Sequence, residues 1–275
     1  MQPKSFRHSV LFAVALAGCT DVTAVGTYTT DNLQIVFKAL GYDREHPLVQ
    51  RAERELDEFM IDGEDGATIR IQPCFSPVWD TGIALYALAD CGLETSPSSQ
   101  SAALWLRSKE CRFVGDWKNN VPQETPFSGW FFEYHNAHYP DCDDTAMVAM
   151  ALRRTGGTEN LEASGRGIQW LFAMQNKDGG WAAFDRTEDR RILEYVPFAD
   201  HNAIQDPSCP DITGRILECL SWHGYRNDHP CVQKAVAYVR SEQRPEGCWF
   251  GRWGVNYIYG TWQAVIGPIR CGDRR

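Results

Sequence analysis

Asp144-Thr145-Ala146-Met147-Val148-Ala149-Met150-Ala151-Leu152-Arg153-Arg154-Thr155-Gly156 is the stretch that decides the fold. Counting from the threonine, Ala149 at +4 and Leu152 at +7 fall on one helical face, and Gly156 at +11 suits the position just past a helix end. The same pattern returns as Thr81/Leu85/Leu88/Gly92 and as Thr213/Leu217/Leu220/Gly224. A weaker copy starts at Thr30, with Gln34, Phe37 and Gly41, and a further one begins at Thr261 and runs out near Pro268. The threonine, with Asp80 or Asp144 just before it, predicts a helix N-cap. The copies are helices of one kind.

A polar connection and a second helix follow each glycine. Two connections are nearly the same peptide, Gly41-Tyr42-Asp43-Arg44-Glu45-His46-Pro47 and Gly224-Tyr225-Arg226-Asn227-Asp228-His229-Pro230. The second helix is clearest from Gly167 to Gln175 and from Ala235 to Gln243, each followed six residues after its Gln by a Trp in a glycine-bearing turn, Trp181 and Trp249. A degenerate copy is expected from Trp105 through Gly115 to Trp117. The Gln amide suits the last free backbone groups of one helix, and the indole suits the joint to the next. Stacked helix pairs of this kind build an all-α architecture, an open solenoid or a closed barrel of inner and outer helices.

Composition bounds the function. With 43% hydrophobic and 23% charged residues the chain is ordinary globular material. Acidic residues outnumber basic ones by 36 to 27 without a basic cluster, so nucleic acid is not an expected partner. The ten cysteines contain no C-x-x-C pair and several fall on apolar helical faces, which points to reduced core residues. No apolar run approaches the roughly 20 residues of a membrane span. Lys4 and Arg7 before the apolar run Val10 to Ala17 and Cys19 have the shape of a lipoprotein signal, against the plainer reading of residues 1–29 as an unassigned N-terminal segment.

Asp141-Cys142-Asp143-Asp144-Thr145 stands at the entrance of one inner helix. One or two carboxylates serve as a cap and complement the helix dipole, and three exceed that need. The peptide also matches the Asp-x-Asp-x-Thr signature of haloacid-dehalogenase-type phosphatases, but Tyr134 to Pro140 is not the buried strand that signature requires. His135 and His138 beside the three Asp make a metal site conceivable, yet nothing completes a ligand set, and no metal or other cofactor is expected. The remaining reading is acid catalysis. A carboxyl flanked by others in a dry aromatic cavity resists ionisation and keeps a proton for an alkene or epoxide.

At these residues the chain resembles the squalene–hopene cyclase family over nearly all of residues 30–263. The resemblance rests on Gln72 to Thr81, Asp141 to Ala146, the two Gln/Trp repeats, Asp206-Pro207 through Thr213, and Gly251-Arg252-Trp253-Gly254-Val255-Asn256-Tyr257-Ile258-Tyr259-Gly260-Thr261. It implies an incomplete (α/α)6 barrel over residues 30–275. It implies a catalyst that protonates a polyprenoid such as squalene to start carbocation polycyclisation, with Asp143 as the acid and Asp141 and Asp144 holding its proton and geometry. Arg215 matches the position of the acid's partner, where some members carry His, and Asp211 lies one turn before it, suited to an i, i+4 ion pair. Trp79, Phe132, Phe184, Trp253 and Tyr259 match cavity residues.

The resemblance further implies a monotopic enzyme at the cytoplasmic side of a membrane, with export through Cys19 as the minor alternative. The family chain is over twice this length, which leaves an open seam and points to a homodimer or a complementing chain as partner. A non-catalytic α/α repeat protein that binds lipid or a partner chain is the alternative. Protein prenyltransferase β-subunits share the barrel but need an Asp/Cys/His zinc site, and oxidosqualene-using relatives carry Asp-Cys-Thr-Ala-Glu in place of the triple-Asp motif.

Overall fold

A computed structural model describes residues 37–57, 60–64, 68–71, 75–134, 136–186, 192, 205–254 and 256–273. The chain forms two compact units, Met1–Phe75 and Ser76–Arg275. The signal-like run, most of the copy at Thr30 and the Gln72-Pro73-Cys74 part of the resemblance lie outside the described residues.

Within the first unit, helix α1 (Pro47–Asp57) is followed by strands β1 (Met60–Asp62) and β2 (Ile69–Ile71). The strands pair antiparallel with Ile61 opposite Arg70. Repeat reading did not foresee this hairpin. The near-identical connections do fold alike: Tyr42 N–H donates to Phe37 O at 3.0 Å and Tyr225 N–H to Leu220 O at 3.1 Å, and each path ends in a helix whose first residue is proline. Proline suits that position because its missing N–H would have no partner there.

The second unit alternates inner and outer helices: α2 (Pro77–Asp90), α3 (Pro97–Ser108), α4 (Cys142–Thr155), α5 (Thr158–Met174), α6 (Pro210–Trp222), α7 (Pro230–Ser241) and α8 (Tyr257–Arg270). Inner helices α2, α4, α6 and α8 pack in sequence, each on the next, while α3, α5 and α7 lie against them. This is an incomplete α/α toroid. α4 and α6 are buried on nearly every side, as expected of helices flanked by neighbours on both edges and backed by an outer layer. Gly92, Gly156 and Gly224 take φ of 72°, 73° and 86° where their inner helices end, a region costly for residues with a Cβ.

The structure corrects the role of the repeated threonines. The N-cap positions are Ser76, Asp141, Cys209 and Asn256, so Thr81, Thr145, Thr213 and Thr261 lie one turn inside their helices. There the hydroxyl faces the chain arriving from the preceding outer helix. Thr145, Thr213 and Thr261 Oγ1 accept from the backbone N–H of Trp130 (2.9 Å), Trp181 (3.0 Å) and Trp249 (3.0 Å).

Each of these indoles in turn donates its ring N–H to a carbonyl near the end of the preceding outer helix: Trp130 to Leu106, Trp181 to Leu171 and Trp249 to Val239. Trp130, not Trp117, is therefore the equivalent in the degenerate copy. The segment after α3 carries an extra 3₁₀ turn, Asp116–Asn120, which moves the tryptophan along the sequence while keeping its place in space. The glutamines also bond differently from expectation. Gln175 Nε2 donates to Gly179 O and to Cys231 O at the start of α7, both at 2.9 Å, so the indole satisfies the helix end and the amide reaches the next outer helix.

Of the described cysteines all are free; Cys111, Cys142, Cys209, Cys219 and Cys271 are buried, as core use predicts. No helix among the described residues is long and apolar enough to cross a membrane.

Candidate active site

The register of the inner helices sets the site. Two residues before the repeat threonine stand Trp79 on α2, Asp143 on α4, Asp211 on α6 and Tyr259 on α8. Two residues after it stand Ile83, Met147, Arg215 and Gln263. One helical turn separates the two positions, so adjacent inner helices present two layers of side chains to a common centre. The candidate acid, its candidate partner and two candidate aromatics all belong to these layers.

Asp141 caps α4: its Oδ1 accepts the Asp144 N–H at 2.7 Å, and its own N–H donates to Trp130 O at 2.9 Å. Among the described residues no buried strand precedes it, only an isolated bridge to Trp130. Asp141 and Asp144 are 4% and 3% exposed, while the Asp143 side chain keeps 16%, so Asp143 is the member of the triad open to a ligand. Burial is the main cause raising all three carboxyls above the ordinary carboxylate range. Asp141 is pushed up to about 7, and Asp144 is also raised well above its ordinary value, by burial first and then by the Asp141 charge beside it. For Asp143, Arg215 opposes the burial and Asp211 adds to it. The dominant cause is thus removal from water rather than crowding of like charges.

Arg215, 5% exposed, reaches from α6 to α4. Its Nε lies 2.6 Å from Asp143 Oδ1, yet neither atom completes a well-directed hydrogen bond, so the contact is an ion pair with a misaligned N–H. The guanidinium carbon sits 4.8 Å from the Trp79 ring centre. Nη2 donates to the Tyr259 hydroxyl, and Nη1 lies 3.6 Å from Met147 Sδ. Burial pushes the Tyr259 phenol up to about 12, which keeps it neutral.

Among the described residues Asp211 and Arg215 form no ion pair, contrary to the i, i+4 expectation. The arginine is extended toward Asp143 and Tyr259, and Asp211 Oδ2 instead accepts the Trp253 N–H at 3.0 Å.

Residues 75–274 match the family model described as the squalene–hopene cyclase C-terminal domain. The chain is 42% identical over 248 residues to a probable squalene–hopene cyclase of Sinorhizobium fredii, covering 88% of this chain and 38% of that protein. This chain belongs to the squalene–hopene cyclase family. It is also 36% identical to the squalene–hopene cyclase of Alicyclobacillus acidocaldarius, over 82% of this chain and 36% of that one. Sporulenol synthase of Bacillus subtilis is 35% identical over 90% of this chain and 39% of its own length. The chain therefore spans under two-fifths of the length of these relatives.

In this squalene–hopene cyclase family member Asp141, Asp143, Asp144, Asp211, Arg215, Trp79 and Tyr259 converge at the start of α4 and the inner ends of its neighbours. Trp253 joins them through Asp211, and Phe184 packs edge-on against Trp253 with ring centres 6.2 Å apart. Phe184 itself is exposed. Phe132 is half-buried on the segment between Trp130 and Asp141. His135 lies outside the described residues, and no cluster of three or more metal-ligating side chains occurs among those described.

Asp206 escaped the sequence reading of the site. Its buried carboxylate accepts from Ala183 N–H (2.5 Å) and Phe184 N–H (3.2 Å) and pairs with Arg252 Nε at 3.0 Å, tying the two aromatic-bearing loops together. Its only sequence signal was its place in the Asp206-Pro207 stretch.

Raised carboxyl pKa values have a definite sign in stability. Folded, these groups hold protons that the unfolded chain releases, so the folded form binds more protons and stability falls as pH rises. For Asp141 the fall runs from about 4, its ordinary value, to about 7. The melting temperature is expected to decline across that window, and Asp144→Asn to flatten the decline. A melting temperature that rises over the same range would contradict the protonated cluster.

Proposed function

We propose that this chain carries the acid centre of a triterpene cyclase, in which the Asp143 carboxylic acid protonates the terminal alkene of squalene or a related polyprenoid. The observation that carries the reading is a carboxyl that burial raises above the ordinary carboxylate range, partly open to a ligand, with a fixed cation beside it. The Asp143 proton goes to the CH carbon of the terminal alkene, whose π electrons form the new C–H bond. A tertiary cation is left on the dimethyl carbon and a carboxylate on Asp143. Arg215 stabilises that carboxylate, which strengthens the acid without itself taking part in the transfer, because a guanidinium does not release its proton.

Trp79, Tyr259, Trp253, Phe184 and Phe132 are the candidates to face the moving positive charge. Each aromatic face contributes roughly 1–2 kcal/mol when water is excluded. One face of Trp79 is taken by Arg215, which leaves the other for the substrate. Asp141 and Asp144 hold the helix entrance and share the local proton load, and Asp211 fixes the Trp253 loop. We place the reaction at a membrane surface, where a substrate as apolar as squalene is concentrated, and assign the remaining barrel helices to a partner chain or further sequence that closes the seam.

Incubating the protein with squalene in heavy water and analysing extracts by gas chromatography–mass spectrometry tests the reaction. Cyclised product with one deuterium at the carbon that was the terminal alkene CH is expected. Absence of product, even with the remaining family segments supplied in trans, or product without that deuterium, sinks the reading.

A further inference from the structure

Gln263 is the residue two positions after the repeat threonine of α8, in line with Met147 and Arg215 on the adjacent inner helices. It is fully buried. α6 and α8 cross backbone to backbone at this point: a Cβ on Gly214 would lie 2.2 Å from Gln263 O. That crossing delivers the Gln263 side chain to the guanidinium of the residue next to Gly214. With its amide oxygen turned to the cation, Gln263 accepts from Arg215 Nη2 at 2.7 Å and from Nη1 at 3.3 Å.

We propose that Gln263 is a positioning residue: its amide oxygen, with the Tyr259 hydroxyl, anchors the Nη edge of Arg215, so that only Nε is turned toward Asp143. A guanidinium left to itself meets a carboxylate through two parallel N–H bonds, the stronger arrangement. Here Nη2 is engaged on the α8 side, Nη1 is shared between Gln263 and Met147 Sδ, and the Asp143 contact is a single misaligned one. The acid is thereby given a counter-charge that stops short of locking it as a carboxylate. The inference rests on the cyclase reading only for the importance of Asp143's proton; the arrangement itself is independent of turnover.

The charged and titratable groups acting on the pair are Asp141 and Asp144 on the same turn as Asp143, Asp211 and Glu218 from α6, and Tyr259 from α8, while α2 presents the uncharged Trp79 ring. Titration of the Asp143 carboxyl by carbon-13 NMR in aspartate-labelled protein, assigned with Asp143→Asn, reads the effect directly.

In Gln263→Leu the freed Nη edge turns to Asp143, and its midpoint should fall by about one pH unit. In Gln263→Glu a second carboxylate competes for the guanidinium and adds negative charge, and the midpoint should rise. Opposite shifts support the assignment, because loss of packing alone moves both variants the same way. Unchanged midpoints, or shifts of one sign, overturn it. Should Gln263→Leu not fold, Gln263→Glu decides alone, a rise supporting and no rise overturning. Failure here with deuterated product still formed would reject the positioning role and leave the cyclase reading standing; the converse result would do the opposite.

Discussion

Asp143→Asn is expected to abolish cyclised product, a loss of at least about 10²-fold for removing a general acid, and, at pH values where Asp143 is ionised, to destabilise the fold by about 3 kcal/mol. Both effects follow from Arg215. Removing the carboxylate leaves a guanidinium, 5% exposed, with no counter-charge at Asp143, and a guanidinium cannot shed its proton to escape. Tyr259, Gln263 and the Trp79 ring remain as neutral partners. They satisfy hydrogen bonds and leave the charge unbalanced.

Arg215→Met should cost less, because the stranded Asp143 can take a proton and become neutral. Chemical denaturation of the two variants checks the asymmetry: if Arg215→Met is the more damaging, the pair is not arranged as described. Loss of stability without loss of product in Asp143→Asn would remove Asp143 from the role of acid.

Gly214→Ala should destabilise the protein by about 3–5 kcal/mol, at the severe end for a single methyl group. On an exposed helix the same substitution stabilises by about 1 kcal/mol, since alanine is the better helix former. The sign reverses here because the added Cβ would lie 2.2 Å from the Gln263 carbonyl oxygen and 2.5 Å from its carbon. Gly267 repeats the condition from the other helix, where a Cβ would lie 2.1 Å from Gly214 O. Backbone cannot step aside as a flexible side chain can, so α6 and α8 must separate. Separation would carry Tyr259 and Gln263 away from Arg215, and product formation should fall with stability. An unchanged or raised denaturation midpoint would show that the helices do not cross this closely.

The all-α array was legible because glycine punctuation and apolar spacing fall at fixed intervals, and both depend on local backbone chemistry. Asp143, Arg215 and the aromatics were reached through likeness to a family, and the structure gathers most of them into two layers. Those layers were present in the repeat, two residues either side of each threonine, but went unread. The +4 and +7 positions report the face that packs, which is apolar in the copies at Thr81, Thr145 and Thr213, whereas the centre-facing positions hold Trp, Asp, Asp and Tyr, then Ile, Met, Arg and Gln, with no shared character to mark them.

Trp130 was missed for a related reason: its distance to its threonine partner is free to vary as long as the loop returns to the same place. Thr81 and Thr213 were misplaced by a turn because Pro77 and Pro210 begin their helices early, and Thr145 because Asp141 rather than Asp144 leads into α4. The direction of Arg215 was beyond sequence reading, since Asp211 lies one turn away on its own helix and Asp143 on another.

The tryptophan–threonine links carry a consequence for how the chain comes to be folded. They join residues 15, 32 and 12 positions apart, and each fastens a newly arrived inner helix to the outer helix made just before it. Chains dominated by such short-range closures pay little loop entropy before their contacts form and fold quickly. The array can therefore be laid down in the order of synthesis, one helix pair docking on the last, with α4 in place and its acids already sequestered before α8 leaves the ribosome to bring up Tyr259 and Gln263.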